Sequence, residues 1–113
     1  IETYSDVQEN LDISDVFKKK DVFALTVNGD SMIDACIADG DMVLMEPIKE
    51  KNSIRNGTIV SAMVLGLGTT LKYFSRIGGK ITLEAANPLY DPIEVNPDEI
   101  VLQGKLVAVW RKV

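Results

Sequence analysis

Short apolar runs alternate with polar residues along the chain, and most end at a glycine, an asparagine or a proline. Val22 to Val27 is β-like and stops at Asn28-Gly29, a strong turn signal. Ser31 to Ala38 has room for one or two short helical turns. Asp39-Gly40-Asp41 turns again, ahead of a strand from Met42 to Met45. After Asn56-Gly57, the apolar run Ile59 to Leu65 is turned by Gly66-Leu67-Gly68 into Thr69 to Phe74, which predicts a hairpin. Gly78-Gly79 leads into Lys80 to Glu84. Pro88, Pro92 and Pro97 break the next stretch into loops and edge pieces. Leu106 to Trp110 is an apolar closing strand. Upstream, Ile1 to Asn10 is mostly polar and reads as a loose lead-in. Leu11, Ile13 and Phe17 suggest a short extended piece, and Lys18 to Asp21 a solvated turn. Many short strands with close turn signals predict a mainly β fold, in part closed like a barrel.

The length of 113 residues suits one compact domain spanning 1–113, and the hydrophobic share of 46% is enough for a core. The net charge of −5 repels a phosphate backbone, so any grip on DNA is expected from a module outside this chain. The single cysteine, Cys36, excludes an internal disulfide and suits a reducing, cytoplasmic setting; it reads as a small core residue. No apolar run is long enough to span a bilayer. There is no histidine at all, which removes Ser-His-Asp and Cys-His catalysis and leaves no ordinary zinc site. No metal and no cofactor are expected. Asp30, Asp34, Asp39 and Asp41 lack the spacing of a calcium loop and read as solvated turn carboxylates.

Two residues remain as candidates for chemistry. Ser31 follows a strand and a tight turn, where a hydroxyl projects from a rigid edge and backbone N–H groups can converge on one point. An ordinary turn has the same appearance. Lys72 shares one face of its strand with Thr70 and Phe74. It is either a lysine on the wet face of a hairpin or a buried, neutral amine able to take a proton from Ser31.

Val27-Asn28-Gly29-Asp30-Ser31-Met32, followed by Ile37-Ala38-Asp39-Gly40-Asp41, resembles the catalytic-serine motif of LexA-like repressors. Arg55-Asn56-Gly57, Thr70-Leu71-Lys72-Tyr73-Phe74, Asn87-Pro88 and Gln103-Gly104-Lys105-Leu106-Val107-Ala108-Val109-Trp110 continue the resemblance in the family's order. It implies a small, highly twisted, partly barrel-like fold of the LexA and signal-peptidase kind. It implies Ser31 as nucleophile, Lys72 as general base, the N–H groups of Asp30 and Ser31 as oxyanion donors, and Thr70 as a support for the amine. Members of this family cut themselves at an Ala-Gly or Cys-Gly bond when stimulated by the RecA–DNA filament. Neither dipeptide occurs here, so the scissile bond and a DNA-binding domain are expected upstream of the chain. The apolar strand from Gln103 to Arg111 leaves an exposed edge of unpaired backbone groups, which predicts a homodimer through about 103–111 that buries Leu106, Ala108 or their alternating neighbours; the resemblance points the same way.

The family also contains phage repressors and UmuD-type polymerase subunits, which stay as alternatives. A type I signal peptidase also uses Gly-Asp-Ser-Met and a lysine. It wants a proline soon after that stretch and a membrane anchor, whereas Ile33-Asp34-Ala35 follows here. A dimerisation module with the fold but no catalysis is the rival from another class.

Overall fold

The computed structural model describes residues 6–9 and 21–113. Its strands are β1 (Val7–Glu9), β2 (Phe23–Val27), β3 (Met42–Pro47), β4 (Ile59–Val64), β5 (Gly68–Ile77), β6 (Lys80–Glu84), β7 (Ile93–Val95) and β8 (Ile100–Trp110). One-turn 3-10 helices lie at Ile33–Ala35, Lys51–Ser53 and Pro97–Glu99. No described helix is long and apolar enough to cross a membrane. The extended piece expected around Leu11 to Phe17 and the turn at Lys18 to Lys20 lie outside the described residues.

All eight strands join one antiparallel sheet in the order β1-β2-β3-β8-β4-β5-β6-β7. The sheet is strongly curled, a half-barrel as expected. Two irregularities in β8 help to bend it. Against β4, the register steps so that Gln103 is the extra residue; against β3, the extra residue is Val107. Such bulges kink a strand and increase its local twist. The curl brings β1 round to β5, where the Asp6 N–H donates to the Thr69 carbonyl at 3.2 Å.

The hairpin of β4 and β5 forms where the glycine-rich turn predicts it, with Val64 opposite Gly68. The closing strand differs from expectation. It begins at Ile100, and from Ile100 to Lys105 it pairs with β4. From Gly104 to Trp110 it pairs with β3. The segment expected to be an open edge therefore lies inside the sheet at its start. Within β8, Gly104 and Lys105 have ladder partners on both sides, whereas Ile100 to Leu102 pair with β4 alone and Leu106 to Trp110 with β3 alone. Sequence separation hid this, because β8 inserts between two strands formed much earlier in the chain.

Two apolar clusters fill the curled sheet. One gathers Leu25, Val27, Met32, Ile37, Met45 and Leu71; the other gathers Val60, Ala62, Phe74, Ile81, Leu83 and Leu102. Cys36 does not join either. It is exposed, and it ends the first 3-10 turn with a left-handed backbone, φ 63°. Its side chain is turned away from the core that Met32 and Ile37 enter.

Candidate active site

Ser31 sits in the loop between β2 and the turn at Ile33–Ala35. Gly29 takes φ 96° there, a conformation that L side chains rarely adopt. Its N–H donates to the Asp39 carboxylate at 2.7 Å. Beyond Ser31, Met32 is fully buried and its sulfur accepts the Ala86 N–H at 3.4 Å. The loop is thus held by a turn before the serine and a core side chain after it.

Lys72 is buried on β5, with 5% of its surface exposed. It is not a wet-face lysine. Its Nζ donates to Ser31 Oγ at 3.2 Å and to Thr70 Oγ1 at 2.6 Å. Residues 41 positions apart in sequence therefore meet, and Thr70 lies beside the amine. Ser31 and Thr70 are buried as well.

A fourth group was invisible to sequence reasoning. Asp6 accepts from Lys72 Nζ at 2.6 Å, from Thr70 Oγ1 at 2.9 Å and from Ser31 Oγ at 3.2 Å, all through Oδ2. Its Oδ1 accepts the Leu71 N–H at 3.1 Å. The stretch read as a loose lead-in thus contributes a strand and a carboxylate to the site. The lysine expected beside Phe74 also meets the Asp6 carboxylate, at 2.6 Å. No local pattern signals a contact over 66 residues; the curl of the sheet makes it.

The peptide joining Asp30 to Ser31 is fixed from outside the loop. The Asp30 carbonyl accepts from Asn87 Nδ2 at 2.9 Å and from the Ile33 N–H at 3.2 Å. A peptide is planar and trans, so fixing that carbonyl fixes the opposed direction of the Ser31 N–H. Tyr90 donates its hydroxyl to Asp30 Oδ1 at 2.6 Å. That hydrogen bond, then burial and the charges of Asp30 and Asp6, hold the Tyr90 phenol above its ordinary pKa. Asn87 was legible only as part of an Asn-Pro turn, and Tyr90 carried no signal.

The acidic residues near the loop are not all solvated. Asp34 is exposed, but Asp41 is buried with 2% of its surface exposed. It accepts from Arg111 Nε and Nη2, both at 2.7 Å, and from the Ala38 N–H at 2.8 Å. The Arg111 hydrogen bond holds its carboxyl below the ordinary value, against the upward pull of burial. A buried carboxylate persists when it is paired and hydrogen-bonded.

Chemically, the arrangement sets a buried serine hydroxyl beside a buried amine in a chain without histidine. Comparison with known proteins agrees at the level of family. The LexA repressor 1 of Nocardia farcinica is 50% identical over 92 residues, covering 81% of this chain and 40% of that protein. LexA repressors of Novosphingobium aromaticivorans and a Ruegeria species are 43% and 48% identical, over 80% and 79% of this chain. The chain spans 36–40% of the length of these relatives. The Peptidase S24-like family matches residues 1–107, and on that match the chain belongs to it.

Proposed function

We propose that this chain is the self-cleaving and dimerising domain of a LexA-type repressor of the SOS response to DNA damage. The observation that carries the proposal is the 3.2 Å contact between two buried groups, Ser31 Oγ and Lys72 Nζ, in a chain without histidine. In the reaction, Ser31 Oγ attacks the carbonyl carbon of an Ala-Gly-type bond upstream, and its proton passes to a neutral Lys72. The N–H groups of Asp30 and Ser31 hold the oxyanion while Thr70 steadies the amine. The lysine then gives its proton to the departing amine. A water activated by the same lysine frees the acyl group.

The path of the chain supports cutting in cis. Asp6 lies at the dyad and is tied to Thr69 and, through its carbonyl, to the Asn28 N–H at 2.7 Å. Whatever precedes Asp6 therefore starts from the site, which gives a tethered bond a high effective concentration. The RecA–DNA filament and alkaline pH act by favouring the cutting conformation with Lys72 neutral. DNA is held by a separate upstream domain, and the free thiol of Cys36 suits the cytoplasm.

The dimer forms through the half-free stretch of β8. Val107, Val109 and Trp110 are exposed there, whereas Leu106 packs on the core. Two-fold antiparallel pairing satisfies the open backbone groups and buries the outward residues, Val107 and Val109 rather than Leu106.

The deciding experiment incubates the longer protein at neutral and alkaline pH, with and without activated RecA. Ser31→Ala and Lys72→Arg should both stop self-cleavage without unfolding the domain, since arginine keeps the charge and cannot serve as a base. Cleavage by Lys72→Arg with the unaltered pH profile refutes the dyad.

A further inference from the structure

The three hydrogens of an ammonium group leave no lone pair, so Lys72 paired with Asp6 cannot accept a proton. Its three acceptors are Asp6 Oδ2, Thr70 Oγ1 and Ser31 Oγ. The Ser31 hydroxyl, receiving a hydrogen from Lys72, sends its own to Asp6 Oδ2. Catalysis needs the opposite direction, with Ser31 donating to the lysine. Thr70 also donates to Asp6, and the Leu71 N–H takes its other oxygen. An ionised carboxylate has about four acceptor positions, and all four donors here converge on one carboxylate. The side chains of Lys72 and Asp6 are 6% and 19% exposed, so water competes little for these bonds.

We infer that Ser31, Thr70, Lys72 and the Leu71 N–H form a carboxylate-binding site, which Asp6 fills so as to hold the dyad in the direction that cannot cut. The inference rests on the Ser31–Lys72 reading. It adds that the chain supplies its own blocking ligand. Asp6 has to leave before Lys72 can act as a base.

A fluorophosphonate probe tests this without any scissile bond. Ser31 Oγ attacks phosphorus, fluoride leaves, and the hydroxyl proton passes to Lys72. The labelling rate of the chain is measured at neutral pH for the unaltered protein, Asp6→Asn and Asp6→Ala, with Ser31→Ala and, in the Asp6→Ala background, Lys72→Met as controls. Asp6→Asn keeps the size of the side chain and guards against loss of fold, which melting of each variant checks. Both Asp6 variants should label at least about tenfold faster, the order expected when a charge-assisted hydrogen bond is removed. Acetate should slow Asp6→Ala back toward the unaltered rate and leave the unaltered protein unaffected, with chloride at equal ionic strength as control. Labelling no faster in folded Asp6 variants, or no response of Asp6→Ala to acetate, overturns the carboxylate site while the dyad stands. Labelling of Lys72→Met in the Asp6→Ala background as fast as Asp6→Ala alone overturns the dyad reading itself.

Discussion

Replacing Arg111 with methionine tests how the end of the chain supports the serine loop. Arg111 forks onto both oxygens of Asp41, and the Asp41 carbonyl in turn accepts the Val27 N–H at 2.8 Å. The Gly40 N–H donates back to the Val27 carbonyl at 2.8 Å, so the segment returning from Ser31 is stitched to β2. Arg111→Met leaves a buried carboxylate with the Ala38 N–H as its remaining partner. An unsatisfied buried group of this kind costs about 1–3 kcal/mol. The Arg111 side chain is 57% exposed, and screening by water and salt puts the expected loss at about 1–2 kcal/mol. With an unfolding entropy of about 2.1 cal/mol/K per residue, each kcal/mol lowers Tm by ~4 °C for a chain of 113 residues. Thermal melts should therefore show a fall of about 4–8 °C at neutral pH.

The pH dependence has a definite sign. The folded pKa of Asp41 is depressed, mainly by Arg111. The stability this supplies is present above the unfolded carboxylate value of about 3.9 and is lost as pH falls through the lower folded value. The gap between unaltered and variant protein should close below about pH 4. Equal stability at neutral pH, or a gap that persists unchanged into strong acid, would refute the reasoning.

Three further outcomes are expected. Asn87→Ala removes the shorter of two hydrogen bonds on the Asp30 carbonyl and loosens the aim of the Ser31 N–H, so on the proposed mechanism cleavage should slow by about tenfold or more, up to the 10²–10³ lost with a whole oxyanion donor. An unchanged single-turnover rate argues against that role. Gly104→Ala puts a methyl group 2.7 Å from Phe23 Cζ and 3.0 Å from Met45 Cβ. Urea unfolding should show about 1–3 kcal/mol of destabilisation from this crowding. Val107→Pro should weaken the dimer in sedimentation and spare the fold, because Val107 is the extra residue of its bulge. Lys105→Pro is a poorer probe, since Lys105 pairs with both Glu46 and Val60.

The local elements and the two candidate residues, Ser31 and Lys72, were legible in the chain before folding. Asn28-Gly29, Gly66-Leu67-Gly68 and Gly78-Gly79 mark turns because few other residues tolerate those backbones, and β2, the β4–β5 hairpin and β6 follow. With no histidine in the chain, a lysine was the base proposed for Ser31. What the curled sheet alone decided is which distant groups share one point. Alternation along β8 identifies its inner face, but pairing depends on strands formed elsewhere, so the start of the presumed edge is covered on both sides while Leu106 to Trp110 stays open on one. Asp41 looked like a solvated turn acid until Arg111, 70 positions on, came back to cover it. Asp6 sits in a polar stretch with no periodic signal, and only the closure of β1 against β5 carries its carboxylate to Lys72. Turn chemistry is local and can be read residue by residue, whereas the meeting of charges in a site depends on where the whole backbone bends.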